Sequence, residues 1–220
     1  MKDHLEKIVK VSSDRFEFWI NFVNEFNLLN VCEVGVYKGD FAKELLQACN
    51  KIKNYYMIDP WQHLENWNKP ANKDDATFEL FYEETINKTD FVKEKRIILR
   101  GKTQNVVNQI QDDSLDFAYI DGDHTLKGIT IDLINIWNKI KPGGFIGGDD
   151  FVPRIWQHGP EFEPTLIFPF AVYFAEAMNT KIYALPFKQF LISKGFTGFE
   201  FIDLTKGIYR NTSLKNQFVK

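Results

Sequence analysis

The sequence predicts an α/β sandwich, a mostly parallel sheet with helices covering both faces. Three observations predict it. The apolar pattern switches repeatedly between short β-type runs and helix-type spacing, the alternation that crossover-connected parallel strands produce. Residues with chemical potential gather just after the apolar runs, as in "EVGVYKG", "MIDP", "AYIDGDHTLKG" and "GGDDF", and open α/β sheets bind ligands beyond the carboxyl ends of their strands. The 220 residues also contain no repeat, linker or low-complexity segment. One domain is therefore expected over 1–220, with an N-terminal helical segment at 1–28, a core at 29–195 and a C-terminal tail at 196–220.

Element by element, "SSDRFEFWINFVNEF" has Phe16, Trp19, Ile20, Val23 and Phe26 at helical spacing, with Ser13 or Ser12 as the cap. "LNVCEVGV" reads as a buried first strand, "YKGD" as a turn, and Asp40 as the cap of the helix "FAKELLQAC". "YYMIDP" is the second strand, ended by Pro60. The stretch "WQHLENWNKPANKDD" reads as loop, followed by the helix "ATFELFYEETI" introduced by Asp74 or Asp75. "RIILRG" is strand three, with Thr103 capping a short helix after it. "LDFAYID" is strand four, "TLKGITIDLINIWNKI" a helix stopped by "KPGG", and "GGFIGGDD" strand five. Residues 151–164 hold three prolines and read as loop over the sheet edge. "TLIFPFAVYFAEAM" is a final helix in which Pro169 invites a kink. "KIYALPF" and "QFLISKG" make a closing antiparallel pair, which brings the sheet to seven strands.

Composition narrows the function. A formal charge of -3 with no basic stripe leaves no electrostatic footprint for nucleic acid. No run approaches the ~18–20 apolar residues of a membrane span, and the N-terminus lacks a signal-type apolar core. Cys32 and Cys49 read as reduced core thiols, so a cytoplasmic protein is expected.

The first turn, "EVGVYKG", lacks the G-x-G-x-x-G spacing that lets backbone amides cradle a pyrophosphate. Glu33 would repel phosphate but suits an ammonium group, and Asp59 suits ribose hydroxyls. S-adenosylmethionine carries both groups and no phosphate. The motifs "EVGVYKG", "MIDP", "LDFAYIDGDHTLKG" and "KPGGFIGGDDF", in that order over residues 29–195, resemble the class I S-adenosylmethionine-dependent methyltransferases. The last two are similar to the metal-dependent branch that includes catechol-type and macrolide-sugar O-methyltransferases. The resemblance implies a Rossmann-like sandwich with strand five beside strand four. It implies cofactor contacts at Glu33, Gly35, Tyr37, Gly39, Asp59, Gly101, Thr103 and Asp121, and a divalent cation, Mg²⁺ by its preference for oxygen, held by Asp121, Asp149 and Asp150.

Physics is consistent with that cluster. Neighbouring strand ends lie about 4.8 Å apart, and two unit charges 4 Å apart repel by about 4 kcal/mol at an effective dielectric near 20. Such acids call for a cation or a shared proton. His124 lies where catechol-type enzymes place a lysine base, with Lys127 as its competitor. Asp123 reads as a helix-start residue. His4 is read as surface, whereas His63 and His158 fall in loops near the expected pocket. Trp61, Trp67, Phe151 and Trp156 are candidates to line a lid, and Trp19 and Trp137 to pack in the core.

The expected partner is a small hydroxylated acceptor, a sugar or a catechol, with a homodimer left open. Three rivals remain at this level: a metal-independent N- or O-methyltransferase, a catalytically silent cofactor-binding protein and a nicotinamide dehydrogenase. The first turn disfavours the last.

Overall fold

A computed structural model describes residues 1–210 and Thr212. Residues 211 and 213–220, the end of the expected C-terminal tail, lie outside the described residues. Eight strands form one sheet: β1 (Asn30–Val34), β2 (Asn54–Asp59), β3 (Arg96–Arg100), β4 (Leu115–Ile120), β5 (Ile140–Gly148), β6 (Lys181–Leu185), β7 (Gln189–Ser193) and β8 (Glu200–Asp203). Their spatial order is β3-β2-β1-β4-β5-β7-β6-β8. The first five strands are parallel, and β7 runs antiparallel between β5 and β6. The eighth strand, parallel to β6, lies in the segment read as tail. "FEFID" alternates weakly, and pairing with the β6 edge is what makes it a strand.

The helices are α1 (Lys2–Val11), α2 (Arg15–Glu25), α3 (Asp40–Ala48), α4 (Asp75–Lys88), α5 (Thr103–Val106), α6 (Leu126–Lys139) and α7 (Ile167–Ala177). Alternation along the strands divides the core into two layers. Phe117 and Tyr119 of β4 join α1 to α4 on one face, while Ala118 and Ile120 join α6 and α7 on the other. Trp19 is fully buried against the first face, as its helical spacing predicts. Gly147 on β5 makes room for it, since a Cβ there would stand 2.2 Å from the indole ring.

Local corrections follow from hydrogen bonding. Asp14, rather than Ser12 or Ser13, caps α2 by accepting from the Glu17 amide. Gly39 holds the cap position of α3 and Asp40 begins the helix; likewise Lys102, not Thr103, precedes α5. Asp74 caps α4 through the Thr77 amide, 2.8 Å away. "KPGG" ends α6 but lies inside β5, where the register against β4 shifts and the chain passes directly from helix to strand. Pro169 falls in the first turn of α7, whose amides have no intrahelical acceptor, and the helix runs on through it. Cys32 and Cys49 are buried free thiols. Among the described residues no helix is long and apolar enough to cross a membrane.

Candidate active site

The strand order reverses between β1 and β4, and a cleft of about 910 Å³ opens at their carboxyl ends. Glu33, Gly35, Tyr37, Asp59, Gly101, Thr103, Asp121, His124, Lys127 and Asp150 all line it. Gly39 and Asp149 do not, and each has a role beside the cleft. The turn after β1 depends on Gly35 at φ +87°, where a Cβ would sit 2.2 Å from the Asp121 carbonyl oxygen. Only glycine lets the β1 and β4 ends approach so closely.

Asp59 holds this turn. One carboxylate oxygen accepts from the Val36 and Tyr37 amides, both at 2.9 Å, and the other from the Trp61 amide at 2.7 Å. Three of about four lone-pair positions are thus taken, leaving one for a ligand hydroxyl. Burial lifts the Asp59 pKa, and the three amides work against that shift. Glu33 is 1% exposed and accepts from the Tyr55 hydroxyl at 2.7 Å. Burial raises its pKa well above the usual carboxylate range. Burial therefore disfavours the charge expected there. Thr103 bonds to the buried Asp132 of α6, whose pKa burial raises to about 7. Asp132 also lines the cleft, and its apolar helical context gave no signal of this.

At the other end, three acids meet two cationic groups. Arg15, the first residue of α2, bridges Asp149 and Asp121, reaching the latter at 3.4 Å. His124 Nδ1 lies 2.8 Å from Asp150 Oδ2, and its Nε2 lies 3.3 Å from Asp121 Oδ1. That second approach is within ion-pair range yet lacks hydrogen-bond geometry, so Nε2 is a buried nitrogen without a hydrogen-bond partner. Burial opposes a charge on His124, but Asp121 and Asp150 outweigh it and raise its pKa to about 10. The expectation of a His124 base is corrected accordingly, because an imidazolium has no lone pair to offer near neutral pH. Lys127 is exposed at the cleft rim in the first turn of α6.

The acids do come together, but not as three oxygens around one point. Asp149 accepts from Arg15, from Gln189 Nε2 at 2.6 Å and from the Asp150 amide at 2.8 Å. Gln189 is itself fixed, accepting from Trp19 Nε1 at 2.7 Å and the Tyr119 hydroxyl at 3.0 Å. An all-oxygen Mg²⁺ site at Asp121, Asp149 and Asp150 therefore does not fit: a guanidinium stands between two of its ligands. Among the described residues, the group whose ligand atoms lie within 4.8 Å of one another is His124, Asp150 and His158.

Two loops wall the cleft and are bonded to each other. Asn68 exchanges bonds with Glu163 and donates from its side-chain amide to the Glu161 carbonyl. Lys69, 6% exposed, donates to the carbonyls of Glu163 and Pro164 at 2.7 and 3.1 Å. Trp67 Nε1 donates to Asp123, which also accepts from the Thr125 amide and so braces the start of α6. Of the aromatics expected in a lid, Trp67 lines the cleft, whereas Trp61 and Phe151 are buried anchors. Arg15 and Gln189 escaped the sequence reading because nothing local marks them. Each lies far along the chain from the acids it serves.

Comparison with known proteins gives a consistent picture. Residues 32–151 match the family described as "Methyltransferase domain". No curated protein matches the chain in sequence. Solved structures with this fold include an O-methyltransferase from Bacillus cereus in complex with SAH, at 15% identity and TM-score 0.60, covering 87% of this chain and 91% of that one. The O-methyltransferase TomG from Streptomyces achromogenes, involved in tomaymycin synthesis and solved with SAM, is 12% identical at TM-score 0.58, covering 88% and 90%. A spermidine synthase from Thermotoga maritima also aligns, at 13% identity and TM-score 0.53, covering 88% of this chain and 61% of that one. At such identities the likeness is one of fold, and the synthase shows that this sheet carries more than one chemistry.

Proposed function

This chain is a class I S-adenosylmethionine-dependent methyltransferase, belonging to the methyltransferase-domain family by a match over more than half its length, and from that premise we propose that its acceptor is a hydroxyl oxygen of a small molecule. One observation carries the reading: a single cleft has the phosphate-averse Glu33 turn at one end and the Asp121 cluster at the other. Its 910 Å³ lies near the top of the roughly 300–1,000 Å³ of small-molecule sites, which suits a cofactor and an acceptor side by side.

In this reading the donor's ammonium lies toward Glu33 and restores the charge that burial suppresses. Its ribose takes the remaining lone pair of Asp59, and the sulfonium faces Asp121. Among the three acids Asp121 is the most open, its side chain 25% exposed against 13% for Asp149 and Asp150. An acceptor hydroxyl donates to Asp121. As the oxygen displaces the sulfonium methyl, its proton passes to that carboxylate, and S-adenosylhomocysteine leaves. Arg15 and His124 hold Asp121 in place and put positive charge beside the oxygen as it becomes nucleophilic. Most of the acceleration then comes from aligning oxygen, methyl carbon and sulfur. Magnesium has no step here, for the steric and electrostatic reason given above. Catechols and sugar hydroxyls are the acceptor classes for this site, with Trp67 offering a face for a flat ring or a sugar.

The test is Asp121→Asn with a panel of phenolic and sugar acceptors. Removing the proton acceptor is expected to lower kcat by about 10²–10⁴ while S-adenosylhomocysteine binds within about threefold of wild type by calorimetry. Full turnover by this variant would refute the assignment.

A further inference from the structure

Lys69 is a buried cation without an acid of its own. It is 6% exposed, yet it lines the cleft. Its ammonium carries three N–H donors, and two of them meet the backbone carbonyls of Glu163 and Pro164. Among the described residues no carboxylate bonds to it. The acids whose charges reach it are Glu163, Asp123 and Asp150, and each is engaged elsewhere. Glu163 accepts from the Asn68 amide, and Asp123 from Trp67 and the Thr125 amide. Asp150 accepts from Gln157 and pairs with His124. Burial lowers the Lys69 pKa accordingly. Two carbonyl dipoles satisfy hydrogen bonding there, but a desolvated charge remains costly until an anion meets it.

The surroundings favour an anion over a cation. Burial lowers the His158 pKa, and Lys69, His124 and Lys188 lower it further against the opposing pull of Asp150. Three positive groups therefore converge on this corner of the cleft, His124 being the imidazolium described above, and one acid opposes them. The loop that carries Lys69 is also preformed. The Asn72 side chain accepts from the Leu64 amide at 3.1 Å and donates to the Leu64 and Trp67 carbonyls, both at 2.8 Å. The Asn72 amide donates to the Lys69 carbonyl at 3.0 Å. With backbone and ammonium both held, little conformational entropy is left to lose when a ligand arrives.

We propose that Lys69 receives an oxyanion of the methyl acceptor, a carboxylate or a phosphate carried away from the hydroxyl that reacts. The proposal rests on the reading of Asp121 as the anchor of that hydroxyl, and it narrows the acceptor from hydroxylated molecules in general to hydroxylated acids. Asp121 approaches His124, and His124 pairs with Asp150, so an imidazole and a second carboxylate stand between the reacting end and the corner that Lys69 shares. Trp67, two residues from Lys69 on the same loop, lines the cleft as well, which suits a ring that bears the anionic group.

The experiment uses full-length protein saturated with S-adenosylhomocysteine and two matched pairs of probes. Calorimetry compares 3,4-dihydroxybenzoate with its neutral amide, and glucose 6-phosphate with glucose. The charged member of one pair is expected to bind about 10–100-fold more tightly than its neutral partner, the worth of one charge-assisted contact. The pair that shows the gap distinguishes carboxylate from phosphate. Lys69→Met should close the gap by weakening the charged probe while the neutral one stays within about threefold, and Lys69→Arg should retain it. An equal loss for both members would mark Lys69 as a brace for the loops and overturn the proposal. So would the absence of a gap in both pairs, failure of both charged probes to bind, or a gap that survives Lys69→Met. Because the readout is binding, failure here leaves methyl transfer to neutral hydroxyls intact, whereas failure of the methyl-transfer reading shows as lost turnover with the gap still present.

Discussion

Replacing Asp59 with alanine separates two roles for an acid at the end of β2, holding the ligand and holding the protein. The carboxylate accepts three backbone amides, from Val36, Tyr37 and Trp61, at 2.9, 2.9 and 2.7 Å. Val36 is 4% exposed and Trp61 1%, so water cannot readily replace two of those partners. A bond to an ionised group contributes about 1.5–3 kcal/mol, and two unreplaced ones give roughly 3–6 kcal/mol. That is a large part of the 5–15 kcal/mol by which a domain is stable. Asp59→Asn keeps one accepting oxygen but sets an NH₂ against an amide, so its loss should be intermediate. Urea unfolding at pH 8 measures both variants, and calorimetry with S-adenosylhomocysteine measures binding. The expected order of stability is wild type, Asn, Ala. If Asp59→Ala unfolds within about 1 kcal/mol of wild type and only cofactor affinity suffers, the structural argument is wrong.

Other perturbations test neighbouring claims. Burial raises the Glu33 pKa, so the folded chain keeps a proton that the unfolded chain releases earlier; stability from this group is present at low pH and is lost as pH rises above the ordinary carboxylate range. Glu33→Gln should flatten that dependence in melting curves between pH 5 and 8, and weaken S-adenosylhomocysteine about 10–100-fold by loss of one charged contact. Gly35→Ala must part β1 from β4 and hold a left-handed residue, and should destabilise by about 3 kcal/mol or more in urea. Arg15→Met leaves Asp121 facing Asp149 without their shared cation. Since the Arg15 side chain is 32% exposed, the expected loss is about 1–3 kcal/mol, less than for a fully buried pair, and turnover should fall with it.

Much of the architecture was legible in the chain itself. Apolar runs ending in Asp59, Asp121 and Asp149 marked strand ends because an ionisable group cannot continue a buried strand without a partner. The helical spacing around Trp19 assigned its face to the core correctly. Cap positions slipped by one or two residues at Asp14, Gly39 and Lys102, since several neighbouring residues can serve and only the chain's path selects one. The eighth strand and the passage of "KPGG" into β5 depend on pairing with β6 and β4, which no local pattern contains.

For the site, the cleft-lining residues Glu33, Gly35, Asp59, Asp121 and Asp150 were readable from their positions at strand ends, because strand polarity sends those ends to one edge of a parallel sheet. Their states were not. Whether Glu33 is charged depends on its burial against Tyr55, and whether His124 is a base or a cation depends on acids from two strands. What relieves the repulsion among Asp121, Asp149 and Asp150 comes from Arg15, more than a hundred residues away in sequence. The order of residues determined the fold and where chemistry would gather, since hydrophobic period and turn chemistry act over a few residues. The tertiary structure alone decided protonation and pairing, because Coulomb and desolvation energies depend on distance and dielectric in three dimensions, whatever the separation along the chain.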